Sequence, residues 1–281
     1  MSTLVPPLLA GLVDDASVLP PGVVTVPDAV NAHRKHAEAW YAPLLGALLV
    51  PASLAAFEVS ARGLSVGIIN DSAIGALPLA VSKLRTSGAV VSQVEALVAR
   101  RGEDPQPGLA ALREIALGER ELQVYAEIPL SWGLLAALDT VAETQAEGLA
   151  IRPKFRVGGL AAELFPTPVE LAAVICACRD RNLPFKLAAG LRHALRHTDP
   201  ETGFTHHGFL NVVVASALAA EGGEVAEVAE ALAATHPVPL VEPARSRRDS
   251  PRPLCAGFGT VNVLEPLTEL VRLGLVNGGY E

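Results

Sequence analysis

Short apolar runs alternate with longer segments of helical periodicity along the whole chain, and the alternation occurs about eight times. Apolar runs of this length, bounded by turn residues, are typical of strands that are covered on both faces. The helical segments between them supply the crossover connections that parallel strands require. Eight such repeats in 281 residues predict a single-domain α/β protein of the (β/α)8 TIM barrel class rather than an open doubly wound sheet.

The runs predict eight strands and nine helical segments. The predicted strands cover residues 8–13, 45–50, 64–69, 90–95, 122–128, 150–157, 184–188 and 254–258. The predicted helices cover residues 28–40, 53–62, 76–86, 108–117, 132–147, 168–181, 209–221, 224–233 and 263–273. Residues 236–253 are rich in Pro and Arg and are predicted as an irregular connection. The polar segment 192–206, directly after the seventh strand, is predicted as a mobile lid over the active site.

The composition of the chain argues against two classes of binding partner. The chain carries 22 Lys and Arg residues against 30 Asp and Glu residues, so its formal net charge of −8 argues against a nucleic acid partner. Apolar runs such as 44–50 and 212–220 are too short to cross a bilayer, which argues against a membrane partner. No signal-peptide pattern opens the sequence and it has only three cysteines, so we predict a cytoplasmic protein with reduced thiols. The expected partner is a small, anionic molecule, and a homo-oligomer is compatible with the sequence.

Two lysines fall inside predicted core strands. Lys154 and Arg156 share one face of the sixth strand, and Lys186 lies early in the seventh, where an apolar residue is usual. A buried ammonium group is unfavourable unless a carboxylate compensates its charge. One interpretation is therefore a set of structural ion pairs with Glu127 or Asp14. The other is a lysine nucleophile whose amine is activated by a second cation nearby.

The last three predicted strands contain short motifs that resemble a known family. Residues 154–159 read Lys-Phe-Arg-Val-Gly-Gly, residues 186–192 read Lys-Leu-Ala-Ala-Gly-Leu-Arg, and residues 257–261 read Gly-Phe-Gly-Thr-Val. They are similar to strands six to eight of class I deoxyribose-phosphate aldolases. The chain also resembles bacterial β/α-barrel proteins of unassigned activity that share a Phe-Gly-(Ser/Thr) strand end followed by Glu-Pro.

The aldolase resemblance implies specific roles. Lys154 would form the Schiff base, Lys186 would be the cation that lowers its pKa, and the backbone at Gly190, Gly259 and Thr260 would cradle a phosphate or carboxylate. The family's acid/base aspartate has no clear counterpart, with Glu95 or Asp71 as the nearest candidates. Arg156 and Val261 stand where the family has a small residue and a serine.

We therefore predict an enzyme that acts on a small anionic or carbonyl-bearing metabolite without a cofactor, first as an aldolase-type carbon–carbon lyase. Lys154 is expected to have a depressed pKa, and its partners are expected to converge on one pocket at the carboxyl ends of the strands. Two alternatives stay open: a non-covalent barrel enzyme, of a phosphoribosyl-transfer or metal-assisted type, and a non-catalytic binding barrel. The predicted catalytic residues are Lys154, Lys186, Asp14, Glu127 and His193, and the predicted substrate-binding residues are Arg156, Gly158, Gly159, Gly190, Arg192, Gly259 and Thr260.

The polar segment after the seventh predicted strand is rich in histidine. His193 and His197 are four residues apart and would share a helix face, so with Asp199 they could form a metal site. No H-E-x-x-H glutamate accompanies them, and we assign no metal. A proton-transfer role for His193 is the preferred interpretation, because imidazole titrates near neutral pH.

Overall fold

The computed structural model describes residues 4–22, 24–56 and 61–278. Eight parallel strands form a closed barrel, in which each strand pairs with the next along the chain and the last pairs with the first. A separate antiparallel pair of two-residue strands lies between the seventh and eighth barrel strands. The strands are β1 Val13–Asp15, β2 Leu45–Pro51, β3 Ser65–Ile69, β4 Val90–Leu97, β5 Gln123–Glu127, β6 Ile151–Arg156, β7 Phe185–Ala188, β8 His197–Thr198, β9 Thr205–His206 and β10 Cys255–Thr260.

The α-helices connect and cover these strands. α5 illustrates how the sequence starts a helix: Thr167 and Glu170 form a reciprocal capping box, and Pro168 occupies the first turn, where no backbone donor is needed. No helix in the described residues is both long enough and apolar enough to cross a membrane. The helices are α1 Val26–Glu38, α2 Leu77–Thr86, α3 Gln106–Gly118, α4 Leu134–Ala146, α5 Pro168–Asp180, α6 Phe209–Ala220, α7 Val225–Ala233, α8 Val238–Ser246 and α9 Leu264–Arg272.

The predicted fold class is confirmed, and three segments differ from their predictions. Residues Pro7–Leu9 form a 3-10 helix instead of starting the first strand, because Pro6 and Pro7 cannot donate to a strand ladder. Residues 236–253, predicted as irregular, contain helix α8, which accommodates Pro243 in its interior. The predicted helix at 53–62 begins as the 3-10 helix Leu54–Ala56, and its residues 57–60 lie outside the described residues.

The segment 192–206 is built around the β8–β9 hairpin. Thr198 pairs with Thr205 through both the strand register and a hydroxyl hydrogen bond of 3.0 Å. The ring of His206 also reaches back to the backbone oxygen of Gly190, directly after β7, at 3.3 Å. The hairpin is thus anchored at the carboxyl end of the barrel, and its role as a lid stays a prediction.

The interior of the barrel is divided into an apolar side and a charged side. Ala16, Ala47 and Leu49 form a small buried cluster of their own, separate from the main core between strands and helices. Other parts of the interior are lined by charged residues of β1 and of β4 to β7, including Asp14, Glu95 and Lys186. An interior of this kind needs matched charges, because an unpaired ion there would lose its hydration without compensation.

Candidate active site

Three carboxylates and two lysines meet inside the barrel. Lys154 Nζ lies 2.7 Å from Glu95 Oε2 and 2.7 Å from Glu127 Oε2. Lys186 Nζ forms ion pairs with Glu95 Oε1 and Asp14 Oδ2. Each lysine therefore contacts two carboxylates, and Glu95 bridges the two lysines. The Lys154 side chain is only 5% exposed and that of Glu127 only 9%, so these contacts are made largely out of water.

Further contacts complete this arrangement. Arg156 Nε donates to Glu127 Oε1 at 3.0 Å, and Gln93 Nε2 donates to Asp14 Oδ2 at 2.8 Å and to Glu95 Oε1 at 3.2 Å. Three carboxylates and three cations then balance each other. This set is called the charge network below and consists of Asp14, Glu95, Glu127, Lys154, Lys186 and Arg156.

The ionisation of the network follows from these contacts. Burial works against the Lys154 ammonium, but the charges of Glu95 and Glu127 outweigh burial and raise its pKa. The pKa of Lys186 is raised for the same reason, with Asp14 and Glu95 as the compensating charges. Burial alone would raise the pKa of Glu95, yet the two lysines lower it to about 2, and Lys154 and Arg156 lower that of Glu127. These shifts favour the charged forms of Lys154, Lys186, Glu95 and Glu127 at neutral pH.

The expectation of a depressed pKa at Lys154 is therefore wrong. It assumes that Lys186 acts directly on Lys154, since the two residues are register partners on neighbouring strands. The carboxylate of Glu95 lies between the two ammonium groups and contacts both. An ammonium held by two carboxylates is a poor nucleophile, because the neutral amine is scarce.

The sequence indicates part of this network. Asp14, Lys154, Lys186, Glu127 and Arg156 were predicted, and the structure brings all five into one connected set. Whether any of them takes part in catalysis stays a prediction. The bridging role of Glu95 and the contacts of Gln93 were missed. The available signal was their alternation in β4, since two polar side chains two residues apart point to the same face of a strand.

The carboxyl end of the barrel carries Arg156 and two closely approaching glycines. A Cβ atom at Gly158 would lie 2.9 Å from both the Cα and the N atom of Gly190. The ends of β6 and β7 are therefore too close together for a side chain at position 158. Ala189 and Gly190 both have positive φ angles, 61° and 76°. The backbone amides of Gly158, Gly159 and Gly190 donate to no acceptor within the described part of the chain. Arg156, with a side chain 46% exposed, ends β6 two residues before Gly158.

His193 is held at the same end by a carboxylate from α9. Its Nδ1 atom lies 2.7 Å from Glu269 Oε1, and the second oxygen of Glu269 accepts from the backbone amide of Ala194. The same helix supplies Glu265, which accepts from Arg192 at 3.3 Å and 3.4 Å. His193 is 50% exposed and directs one nitrogen to Glu269, which leaves Nε2 available for proton transfer.

The histidines after β7 stack on one another and do not form a metal site. The rings of His193 and His197 pack edge to face at 4.4 Å, and those of His197 and His206 stack at 5.1 Å. Across residues 4–22, 24–56 and 61–278, no group of three or more His, Cys, Asp or Glu side chains is arranged to hold a metal ion. The ring contacts instead link His193 through His206 to the backbone of Gly190.

Gly259 and Thr260 lie at the carboxyl end of β10, and their role in binding stays a prediction. A Cβ at Gly259 would face Leu49 and Ala16 on the apolar side of the interior, 3.3 Å and 3.6 Å away. Thr260 is buried, and its hydroxyl accepts from the amide of Asn262 at 3.4 Å. The end of β10 nevertheless lies next to the end of β7, because Phe258 pairs with Leu187 in the parallel register.

The position of the open space also differs from the expectation. Asp14 and Lys186 line a cavity of about 300 Å³ together with residues that begin their strands, such as Leu45 and Ser65. This cavity lies at the amino ends of the strands. The predicted pocket, in contrast, lies at the carboxyl ends of the strands and contains all of the predicted catalytic residues.

Comparison of the chain with protein family models, with curated proteins and with solved structures gave no match in any of the three. The (β/α)8 architecture is compatible with an enzyme, but architecture does not identify a reaction. The function has to be argued from the geometry of the site.

One buried histidine next to the carboxyl end predicts a pH dependence of stability. His207 accepts a hydrogen bond at Nδ1 from Arg196 at 3.3 Å, and its Nε2 donates to the backbone oxygen of Pro166 at 2.8 Å. The contact with Arg196 requires the neutral ring, because a protonated Nδ1 cannot accept, and burial together with the Arg196 charge lowers the pKa of His207 to about 4. Between pH 6.5 and 4 the unfolded chain binds a proton there that the folded protein does not, so stability falls as the pH falls through this window.

The expected loss is at most about 3 kcal/mol in the free energy of unfolding, measured by urea denaturation at pH 7 and at pH 4.5. His207→Gln keeps a donor and an acceptor but does not titrate, so it should lose less stability between these two pH values. The exposed His236 provides a matched control, and His236→Gln should behave as the parent protein does. Equal pH dependence in His207→Gln and the parent would contradict the prediction.

Proposed function

We propose that this protein is a barrel enzyme that binds a small phosphorylated or carboxylated metabolite without a covalent step and moves a proton on it. The observation that carries the proposal is the position of Arg156, the one member of the charge network whose side chain is about half exposed. Its Nε donates to Glu127, which leaves the rest of the guanidinium to pair with an anion.

The backbone around Arg156 supports an anion site. The unbonded amides of Gly158, Gly159 and Gly190 lie at the ends of the same two strands. Free backbone N–H groups are favourable partners for phosphate and carboxylate oxygens, and the positive φ angles of Ala189 and Gly190 are typical of backbone segments that form such sites. Arg156 at the end of the same strand would add a positive charge and the capacity for bidentate contacts.

His193 is the proposed proton-transfer group. Glu269 fixes the orientation of its ring through Nδ1, as a carboxylate does in many acid/base pairs, and Nε2 is left for the substrate. Its link to Gly190 through the stacked rings of His197 and His206 places it at the same end of the barrel as Arg156. In this proposal the buried lysines keep Glu95 and Glu127 ionised and hold the strands that carry the site.

The proposal predicts that Arg156→Met weakens anion binding about tenfold to a hundredfold, the cost of a lost charge-assisted pair. The measurement is a titration with a panel of three- to six-carbon phosphate esters and carboxylates, followed by calorimetry and by thermal shift, with turnover of each compound monitored by NMR. Arg85→Met is the matched control, since Arg85 is 43% exposed and also paired to a glutamate, Glu119. Equal binding in the two variants would remove Arg156 from the site.

A second experiment distinguishes this function from imine chemistry. Aldehydes and ketoacids are added with borohydride, and intact mass and peptide mapping locate any reduced adduct. We expect no adduct that depends on Lys154, because its ammonium is held by two carboxylates. An adduct on Lys154 that disappears in Lys154→Met would overturn the non-covalent function in favour of an aldolase-type lyase.

A further inference from the structure

The cavity at the amino ends of the strands is a second feature of the barrel, at the opposite end from Arg156. It measures about 300 Å³, at the lower end of the range found for small-molecule sites. Its walls come from seven strands and from the segment before β1. They are formed by Gly11, Asp14, Leu45, Gly46, Ala47, Ser65, Ser92, Gln93, Tyr125, Lys186, Ala256 and Gly257.

Small residues create this space. The interior of a (β/α)8 barrel is normally filled by layers of bulky side chains. Here Ser65 and Ser92 stand at the start of β3 and β4, and Ala256 and Gly257 stand near the start of β10. The barrel is therefore unfilled at its amino end, and the space extends inward as far as the carboxylate of Asp14 and the ammonium of Lys186.

The walls hold polar groups without protein partners. Tyr125 is 6% exposed, and its hydroxyl makes no hydrogen bond with any residue the structure describes. Burial raises the pKa of Tyr125, so the phenol keeps its proton and is a donor. The amide oxygen of Gln93 likewise accepts nothing from the described chain, while its nitrogen is used by Asp14 and Glu95. Both residues line the cavity, so a water molecule or a ligand in it can satisfy these groups.

The charges at the cavity are already matched. Lys186 is paired with Asp14 and Glu95, and its ammonium also lies 4.9 Å from the centre of the Tyr125 ring. Asp14 also accepts from the amide of Ala47 at 2.7 Å and from Gln93. A charged ligand would have to displace one of these contacts or be buried without a counter-ion, which is costly. The groups that are left to bind a ligand are uncharged: the hydroxyl donor of Tyr125, the amide oxygen of Gln93, and the lone pairs of the Ser65 and Ser92 hydroxyls.

We infer that this cavity is a binding site for a small neutral polyhydroxylated molecule, a polyol or a compact sugar. Each hydroxyl of such a ligand both donates and accepts, and so matches Tyr125, Gln93 and the Ser65–Ser92 pair, whose hydroxyls lie 2.9 Å apart. The inference does not depend on the anion site at the carboxyl end, because the two share no exposed residue.

The test uses glycerol, erythritol and myo-inositol as probes against the full chain, with binding followed by saturation-transfer NMR and calorimetry. We expect saturable binding of at least one polyol, and a loss of about tenfold in affinity in Tyr125→Phe, which removes only the hydroxyl. Tyr41→Phe is the matched control, because Tyr41 lies outside the cavity and is bonded to His36. Ser92→Val adds apolar bulk to the wall and should also weaken binding, while Arg156→Met should leave it unchanged.

Absence of saturable binding for all three polyols would overturn the inference. Equal affinity in the parent and in folded Tyr125→Phe would also overturn it, as would binding of inorganic phosphate that depends on Tyr125. Circular dichroism and thermal unfolding of each variant separate loss of the site from loss of the fold. A failure here would leave the Arg156 result unaffected, since that experiment reports on the other end of the barrel.

Discussion

Replacing Glu95 with glutamine should lower the free energy of unfolding by about 3–5 kcal/mol, the usual cost of removing one partner from a buried ion pair. Glutamine keeps the shape of the side chain but removes the charge that Lys154 and Lys186 share. Its amide nitrogen would also face at least one ammonium group. Urea denaturation at pH 7 measures the loss.

A matched variant at an exposed ion pair shows whether the loss of stability depends on burial of the pair. Glu119→Gln breaks the Arg85–Glu119 pair, whose side chains are 43% and 27% exposed, and should cost no more than about 1 kcal/mol. If Glu95→Gln lost no more stability than Glu119→Gln, the interior charges would have to be hydrated, and the charge network would not hold the barrel together.

Replacing Gly108 with alanine should lower the free energy of unfolding by about 3 kcal/mol or more, because α3 lies directly against the end of β4. A Cβ at Gly108 would meet the backbone oxygen of Val98 at 2.0 Å and its carbonyl carbon at 2.6 Å. Backbone atoms cannot swing aside as a side chain can, so the whole helix would have to move.

The same helix offers its own control. Gly118 ends α3, and a Cβ there would have nothing within 4 Å. Gly118→Ala should therefore leave stability unchanged or raise it by up to about 1 kcal/mol through helix propensity. Thermal and urea unfolding of the two variants make the comparison, and similar values for both would show that α3 does not pack this closely on the barrel.

The sequence predicts the barrel well because its signal is local. Apolar runs indicate buried strands, and the helical period indicates which face of each helix is buried. Eight alternating strand–helix units are compatible with few folds other than a closed barrel. Prolines mark where this fails: Pro6 and Pro7 turn an apolar segment into a 3-10 helix, and Pro243 conceals α8 in a segment that reads as a loop. Only at Pro243 does the structure depart from the local preference of proline, since the helix continues through it.

The site is only partly predictable because its geometry is not local. Alternation along β6 and β7 correctly places Lys154 and Lys186 in the interior. Which carboxylate lies closest depends on the stagger across the barrel, and that decides the direction of the Lys154 pKa shift. The contact of His193 with Glu269 depends on the phase of α9 against the barrel, and the cavity at the amino end depends on small residues contributed by separate strands. None of these can be read from spacing along the chain.

The charge network also bears on the order in which the chain can assemble. Its members span positions 14 to 186, and Lys186 is the last to emerge during synthesis. A chain ending after β6 would bring three carboxylates but only two cations to the interior, and Asp14 would lack its ammonium partner. Removing water from a carboxylate that has no counter-ion is unfavourable, so the interior of a barrel that lacks β7 would stay hydrated. The arrival of β7 neutralises the interior, and β10 can then close the barrel by pairing with both β7 and β1.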